Sequence, residues 1–271
     1  MGESKSARLL STMKTTRRPP PAFAYRNEKF LDSDDARPLR ILAEYLEPFQ
    51  TFRHGHIRDT IVFFGSARIS PEGPLGRYYE EARELARLVT AWSKGLPSHT
   101  HRYVVCTGGG GGIMEAANRG ASEAGGRTIG LNISLPREQR SNPYVTRELS
   151  FEFRYFFMRK LWFAHLARAL VVFPGGFGTL DELTEILTLA QTGKLARRIP
   201  IVIYGASYWN EIVDFDALLR HGMISREDLG LFQYADDPAT ALGLLQAGLA
   251  AEPEEATPAF AHSCAPGPDD D

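Results

Sequence analysis

Val171-Val172-Phe173-Pro174-Gly175-Gly176-Phe177-Gly178-Thr179-Leu180-Asp181-Glu182 is the stretch around which the chain is organised. The apolar run at 169–173 is typical of a buried strand, and the spacing of apolar residues over 180–189 predicts a helix. A glycine turn at the start of a helix presents unpaired backbone N–H groups, with the positive end of the helix dipole behind them. The stretch therefore predicts a strand, an anion-binding turn and a helix.

This turn supplies most of the candidate ligand contacts. Its glycines let the backbone approach a phosphate closely, and Thr179 adds a hydroxyl near the expected start of the helix. Thr179 and Glu182 also fit a capping box, which satisfies free helix donors and binds no ligand. A plain cap needs no three glycines, so we favour the anion site. The candidate contacts are Gly175, Gly176, Phe177, Gly178, Thr179, Leu180, Asp181 and Glu182.

The amino-acid composition excludes several classes of protein. The 271 residues are 43% hydrophobic and 24% charged, with a net charge of −2, so no global charge favours nucleic acid or a membrane as partner. Cys106 and Cys264 are too few for a disulfide framework or a zinc site. The sequence has no 18-residue apolar span. We expect a cytoplasmic protein with one domain at 28–250 and disordered tails at 1–27 and 251–271.

Strand and helix patterns alternate along the whole chain. This alternation predicts an α/β fold, a doubly wound parallel sheet with helices on both faces. The predicted strands lie at 61–64, 103–106, 128–133, 169–173, 199–204 and 231–234. The predicted helices lie at 34–49, 77–92, 113–123, 151–163, 180–189, 209–219 and 238–249.

The first two predicted strands also end in glycine turns, which would face the ligand crevice of a parallel sheet. Five consecutive glycines occupy 108–112. No Lys-Ser or Lys-Thr follows them, which excludes a Walker A loop, and Ile113 replaces the third glycine of the dinucleotide fingerprint. Dense packing of a helix on a strand, with no ligand, is the alternative for this run. The candidate contacts here are Gly65, Ser66, Gly109 and Gly110.

Arg159 and Lys160 are conspicuous charges in the apolar segment 151–163. Arg159 and Lys160 need an anionic partner or a path to water in such a setting, and a phosphate at the glycine turn would be such a partner. An ordinary salt bridge or an exposed edge is the alternative. The aromatic stripe in and near this segment is more often core than interface. It consists of Phe153, Phe156, Phe157, Trp162 and Phe163.

The string 174–182, with Arg159-Lys160 upstream and the glycine run before them, closely resembles the LONELY GUY family, long labelled "lysine decarboxylase-like". The resemblance spans about residues 61 to 234. It implies a Rossmann-like fold and hydrolysis of the N-glycosidic bond of a nucleoside 5′-monophosphate, either a cytokinin riboside 5′-monophosphate or AMP. The products would be the free base and ribose 5-phosphate. It implies no metal and no cofactor, and it suggests a homodimer or a larger homo-oligomer.

Matching positions carry the family's site residues onto this chain. Arg159 and Glu182 resemble the catalytic pair, Lys160 joins Arg159 in substrate binding, and 176–179 correspond to the phosphate-holding turn. Glu138 and Thr188 resemble further substrate contacts, although Glu138 alone would be taken as a solvated carboxylate. Plant members carry Met-His-x-Arg-Lys where this chain has Phe156-Phe157-Met158-Arg159-Lys160, which is closer to the longer bacterial members. The preferred base therefore stays open.

Two other functions remain possible on the sequence. A pyridoxal-dependent decarboxylase needs a lysine for its Schiff base, and Lys160 and Lys194 are the only lysines after Lys94. A non-catalytic carrier or sensor of a phosphorylated, nucleotide-like ligand could use the same turn, because a fold and a phosphate site do not establish turnover.

Overall fold

One sheet of seven parallel strands forms the centre of the computed structural model, which describes residues 23–135, 141–195 and 198–251. The strand order is β4-β3-β2-β1-β5-β6-β7, so the chain winds outward in both directions from β1 and β5. This confirms the predicted Rossmann-like, doubly wound α/β fold. The strands are β1 (Thr60–Phe64), β2 (Val104–Thr107), β3 (Thr128–Ile133), β4 (Ser150–Phe153), β5 (Ala167–Val172), β6 (Ile201–Tyr204) and β7 (Gln233–Ala235).

Helices connect the strands and cover the sheet. They are α1 (Glu28–Leu31), α2 (Arg37–His54), α3 (Gly76–Lys94), α4 (Ile113–Glu123), α5 (Phe156–Leu166), α6 (Phe177–Gln191), α7 (Ala206–Ile212), α8 (Phe215–Arg220) and α9 (Pro238–Ala250). Within the described ranges, no helix combines the length and the apolar character needed to cross a membrane.

The two central strands show why their sequences are continuous apolar runs. Every residue of β1 and β5 is buried, because helices cover both faces of the sheet. Successive side chains point to opposite faces: Phe63 belongs to the core under α3, α4 and α9, whereas Phe64 contacts Phe163 of α5 with ring centroids 4.9 Å apart.

The chain divides into two compact units, Met1–Leu42 and Ala43–Asp271. In the first unit, the Arg40 guanidinium donates hydrogen bonds to the carbonyl oxygens of Leu31 and Ser33. The second unit contains the whole sheet.

The predicted domain bounds at 28 and 250 stay predictions. The expected tails fall mostly on residues 1–22 and 252–271, which lie outside the described residues.

The prediction of one helix over 151–163 was wrong at its start. Residues Ser150–Phe153 form the edge strand β4, in which Phe151 and Phe153 are buried and Glu152 is exposed. This alternation has the period of two of a strand with one buried face. The aromatic residues of the following helix masked it, because a strand of four residues is too short to separate a period of two from a helical period.

The prediction of one helix over 209–219 was also wrong, since α7 ends at Ile212 and α8 begins at Phe215. Asp214 separates them and caps α8, because its carboxylate accepts a hydrogen bond of 2.7 Å from the backbone N–H of Ala217.

The aromatic stripe contains both buried and half-exposed side chains. Phe153, Trp162 and Phe163 are buried, in agreement with a core role, whereas Phe156 and Phe157 of α5 are half exposed. The predicted homo-oligomer stays a prediction.

Candidate functional site

A cleft of about 900 Å³ opens at the carboxyl ends of β1 and β5, where the winding direction of the sheet reverses. Its walls come from the loop after β1, the turn after β5, and helices α5, α6 and α7. Ser66 joins three of the surrounding loops. Its backbone N–H donates to the carbonyl oxygen of Pro174 at 3.0 Å, and its own carbonyl accepts from the Ile113 N–H at 3.1 Å.

The start of α6 differs from the predicted one. The helix begins at Phe177, and Gly176 occupies the N-cap position without a side-chain cap. The backbone N–H groups of Phe177 and Gly178 therefore have no acceptor inside the helix. Thr179 is the third residue of the helix and not its N-cap, so the capping-box interpretation of Thr179 and Glu182 was wrong. The free donors at this helix end point to a site for an anion.

Space around the glycines of this turn supports the same conclusion. A Cβ atom added at Gly176 or Gly178 would meet no heavy atom within 4 Å. Gly175 is different, because its Cβ would collide with the side chain of Thr179. The Tyr208 hydroxyl of α7 fixes this glycine by donating a hydrogen bond of 2.9 Å to its carbonyl oxygen. The turn is thus held at Gly175 and open at the next two glycines.

The five-glycine run after β2 serves mainly packing. Gly109 has φ of +72°, and its Cβ would collide with the side-chain amide of Asn132. The Asn142 amide donates to the carbonyl oxygens of Gly109 at 3.1 Å and Gly110 at 2.9 Å. Gly108 lines the cleft, whereas the predicted contacts Gly109 and Gly110 do not.

Arg159 and Glu182 meet across the cleft floor, from α5 and α6 respectively. Arg159 Nη2 lies 3.2 Å from Glu182 Oε1, and the two side chains are only 15% and 6% exposed. The guanidinium also lies 5.2 Å from the ring centroid of Phe156 and 5.6 Å from that of Phe163. Within the part of the chain that the structure describes, Arg159 Nε is buried without a hydrogen-bond partner.

Burial shapes the charge of this pair. Loss of water raises the pKa of the Glu182 carboxyl to about 7, although the charges of Arg159 and Lys160 oppose this. Burial likewise lowers the pKa of Arg159, and Glu182 opposes that shift. The ordinary pKa of an arginine side chain is so high that Arg159 stays charged at neutral pH. Glu182 is therefore a carboxyl group that can change protonation near neutrality, which is typical of a functional site.

Lys160 lies outside the cleft lining. Its Nζ is 2.8 Å from Asp181 Oδ2 and 2.9 Å from Glu185 Oε2. Burial alone would lower the pKa of Lys160, but the hydrogen bonds to these two carboxylates outweigh it and raise the pKa. The salt-bridge alternative for Lys160 thus fits the structure.

The remaining predicted contacts divide as follows. Gly65 and Ser66 line the cleft, and so do Arg159, the turn Gly175 to Leu180, and Glu182. Asp181 and Thr188 do not, and the Thr188 hydroxyl instead donates to the carbonyl oxygen of Thr184 at 2.7 Å. Glu138 lies outside the described residues.

Sequence reasoning missed several residues that line the cleft. Arg68 follows the predicted Gly65-Ser66 turn, so its place in the chain could have revealed it. Met114, Phe163 and Tyr208 come from three separate helices, and no local pattern marks them. No cluster of three or more metal-ligating side chains occurs in 23–135, 141–195 and 198–251.

Comparisons with known proteins found a matching family model and similar sequences. A family model described as "Possible lysine decarboxylase" matches residues 114–245. A protein of Oryza sativa subsp. japonica, described as a probable cytokinin riboside 5′-monophosphate phosphoribohydrolase, is 27% identical over 189 residues, which is 68% of this chain and 74% of the relative. The chain is thus similar to proteins of the LONELY GUY family, in line with the resemblance that its motifs carry.

Solved structures are also similar to this chain. The X-ray structure of TM1055 is 21% identical, covers 70% of this chain and 99% of its own, and superposes with a TM-score of 0.50. The Moco carrier protein from Chlamydomonas reinhardtii is 25% identical, with coverage of 71% and 99% and a TM-score of 0.47. The similarity to TM1055 shows the fold alone.

Proposed function

We propose that this protein is a phosphoribohydrolase that cleaves the N-glycosidic bond of a nucleoside 5′-monophosphate and releases the free base and ribose 5-phosphate. The observation that carries the proposal is the buried Arg159–Glu182 pair, which lies in a cleft beside the open turn of α6. The family relatives described as phosphoribohydrolases support the same reaction class. The substrate would be a cytokinin riboside 5′-monophosphate or AMP.

The cleft provides a place for each part of such a substrate. The 5′-phosphate would accept hydrogen bonds from the backbone N–H groups of Phe177 and Gly178, where the dipole of α6 favours an anion. The ribose would then lie over Glu182. The planar base would pack on aromatic side chains, for which Phe156 and the 92% exposed Phe177 are available.

The residues suit the chemistry of this bond. When the bond from C1′ to nitrogen breaks, its electrons leave with the base and positive charge builds on the sugar. An ionised Glu182 would stabilise that charge and accept the proton of the attacking water, whose oxygen bonds to C1′. The base leaves with a proton from solvent. Arg159 would act through its fixed charge, because arginine is a poor proton donor.

Different observations distinguish the proposed hydrolase from a pyridoxal-dependent decarboxylase and from a carrier. Pyridoxal chemistry needs a lysine with a depressed pKa, whereas the pKa of Lys160 is raised by its two carboxylate partners. A carrier would bind the same ligand in the same cleft, so only turnover distinguishes it from an enzyme.

The test is to incubate the purified protein with AMP and with N6-isopentenyl AMP and to resolve base and ribose 5-phosphate by chromatography. We expect base release by the wild type and a loss of about 100-fold or more in Glu182→Gln and Arg159→Ala, as for removal of one transition-state contact. Glu47→Gln makes the same chemical change at an exposed position of α2 and should keep the wild-type rate. Ligand protection against heat without any base release would establish a carrier instead.

A further inference from the structure

Helices α5 and α6 offer no excess positive charge to a phosphate in the cleft. Arg159, which lines the cleft, and Lys160 beside it pair with the three carboxylates of Asp181, Glu182 and Glu185. This group of five side chains is therefore neutral when Glu182 is protonated and carries one negative charge when Glu182 is ionised. A phosphate monoester carries a charge of about −1.5 to −2 at pH 7, so another cation is needed near it.

Arg68 is placed to supply that cation. Arg68 and Arg159 are the two cationic residues that line the cleft in the described part of the chain, and they belong to different elements. The Arg68 guanidinium forms no ion pair and no hydrogen bond with any residue in 23–135, 141–195 and 198–251. Its charge thus remains available to a ligand, unlike the charge of Arg159.

The backbone around Arg68 is fixed against the anion-binding turn. The Arg68 N–H donates a hydrogen bond of 3.0 Å to the Ser66 hydroxyl, and Ser66 is itself bound to the carbonyl oxygen of Pro174. Pro174 directly precedes the glycines of the turn. A long side chain that begins on this loop can close over a phosphate held at the start of α6, while its stem stays in solvent until a ligand arrives.

We propose that Arg68 binds the 5′-phosphate of the substrate opposite the α6 turn and makes the enzyme select nucleoside 5′-monophosphates over nucleosides. The inference rests on the proposed function for the identity of the substrate. The planar guanidinium can donate two parallel hydrogen bonds to phosphate oxygens, which a lysine cannot do.

The test compares Arg68→Ala and Arg68→Lys with the wild type. Arg87→Ala is the matched control, because it removes the same charge from the exposed side of α3, where Arg87 pairs with Glu84. The KM for AMP should rise about 10-fold to 100-fold in Arg68→Ala with little change in kcat, as expected for the loss of a charge-assisted hydrogen bond. The KM of Arg68→Lys should lie between those of the wild type and Arg68→Ala. The rate with adenosine should be the same in all three proteins.

A binding measurement keeps this test independent of turnover. Calorimetry with ribose 5-phosphate should show affinity lowered by about 10-fold or more in Arg68→Ala and unchanged in Arg87→Ala. If no variant releases base but this difference in affinity is found, the proposed function fails and the role of Arg68 stands. If the wild type is active while Arg68→Ala keeps the same KM and the same affinity for ribose 5-phosphate, the role of Arg68 is overturned. Failure of the wild type to bind ribose 5-phosphate would also overturn it.

Discussion

The two glycine turns of this protein look alike in sequence and differ in what their glycines do. In the five-glycine run after β2, Gly109 and Gly112 have φ of +72° and +62°, and an added Cβ would collide with neighbouring atoms at each. In the turn after β5, Gly176 and Gly178 have open space where a Cβ would be. Gly109 and Gly112 are thus enclosed by protein, whereas Gly176 and Gly178 face the cleft.

This difference teaches that the number of glycines does not identify a ligand site. A glycine can be needed because its own protein crowds it or because a ligand must approach it. The distinction is made by side chains distant in sequence, such as Asn132 and Asn142 beside the first turn.

The largest effect is expected for Gly112→Ala. The new Cβ would lie 2.7 Å from the carbonyl carbon of Ala67, in a backbone conformation that disfavours alanine. We expect the free energy of unfolding to fall by about 3 kcal/mol or more, because backbone cannot give way as a flexible side chain can. Urea denaturation measures this. A stability equal to the wild type would show that the first turn is not packed as tightly as the structure has it.

Asn142→Ala should destabilise the protein less. It removes the amide donor to the carbonyl oxygens of Gly109 and Gly110 and leaves those buried acceptors with one fewer partner, at a cost of about 1–3 kcal/mol. The affinity for ribose 5-phosphate should change less than threefold, within about 0.6 kcal/mol, because the ligand is expected at the other turn. Lost binding at unchanged stability would reverse the roles of the two turns.

The protonation of Glu182 gives a pH-dependent prediction. Its carboxyl has a pKa of about 7 in the folded protein and about 4.5 when unfolded, so between these values the folded state holds more protons. Its contribution to stability is then fully present below pH 4.5 and is lost as the pH rises to 7. Relative to Glu182→Gln, the wild type should lose on the order of 2 kcal/mol over that range.

A carboxyl NMR titration checks the same group directly. The signal that disappears in Glu182→Gln should titrate near pH 7. A midpoint below pH 5 for Glu182 would contradict the account of its burial.

Gly178→Ala should have the smallest effect on stability and a clear effect on binding. Alanine favours the first turn of α6 by up to about 1 kcal/mol, and its methyl group meets no protein atom within 4 Å. That methyl group would occupy the proposed phosphate position, so the affinity for ribose 5-phosphate should fall about 10-fold. Calorimetry and urea denaturation of one preparation give both numbers. Unchanged affinity would mean that the open space is not the phosphate site.

The sequence predicted the parts of the fold that depend on local patterns. Strands β1 and β5 are recognisable because burial on both faces requires continuous apolar runs. The short strand β4 and the break between α7 and α8 were missed, because four residues of strand and one capping aspartate produce weak periodic signals.

The candidate site was predictable only in part. The turn before α6 follows from its glycines, and Arg159 and Glu182 were paired by resemblance to the family. The two carboxylate partners of Lys160 could not be derived, because they depend on how α5 and α6 lie side by side. Arg68 and Tyr208 reach the cleft from other elements, and only the folded chain brings them to it.

The central claim is that Glu182 takes part in breaking the glycosidic bond. The most direct measurement mixes excess enzyme with AMP and follows adenine release in a single turnover, together with AMP affinity, for the wild type and Glu182→Gln. We predict that the variant binds AMP within about threefold of the wild type and releases adenine at least about 100-fold more slowly. Release by Glu182→Gln at the wild-type rate would contradict the account, because the buried carboxyl would then have no part in the chemistry.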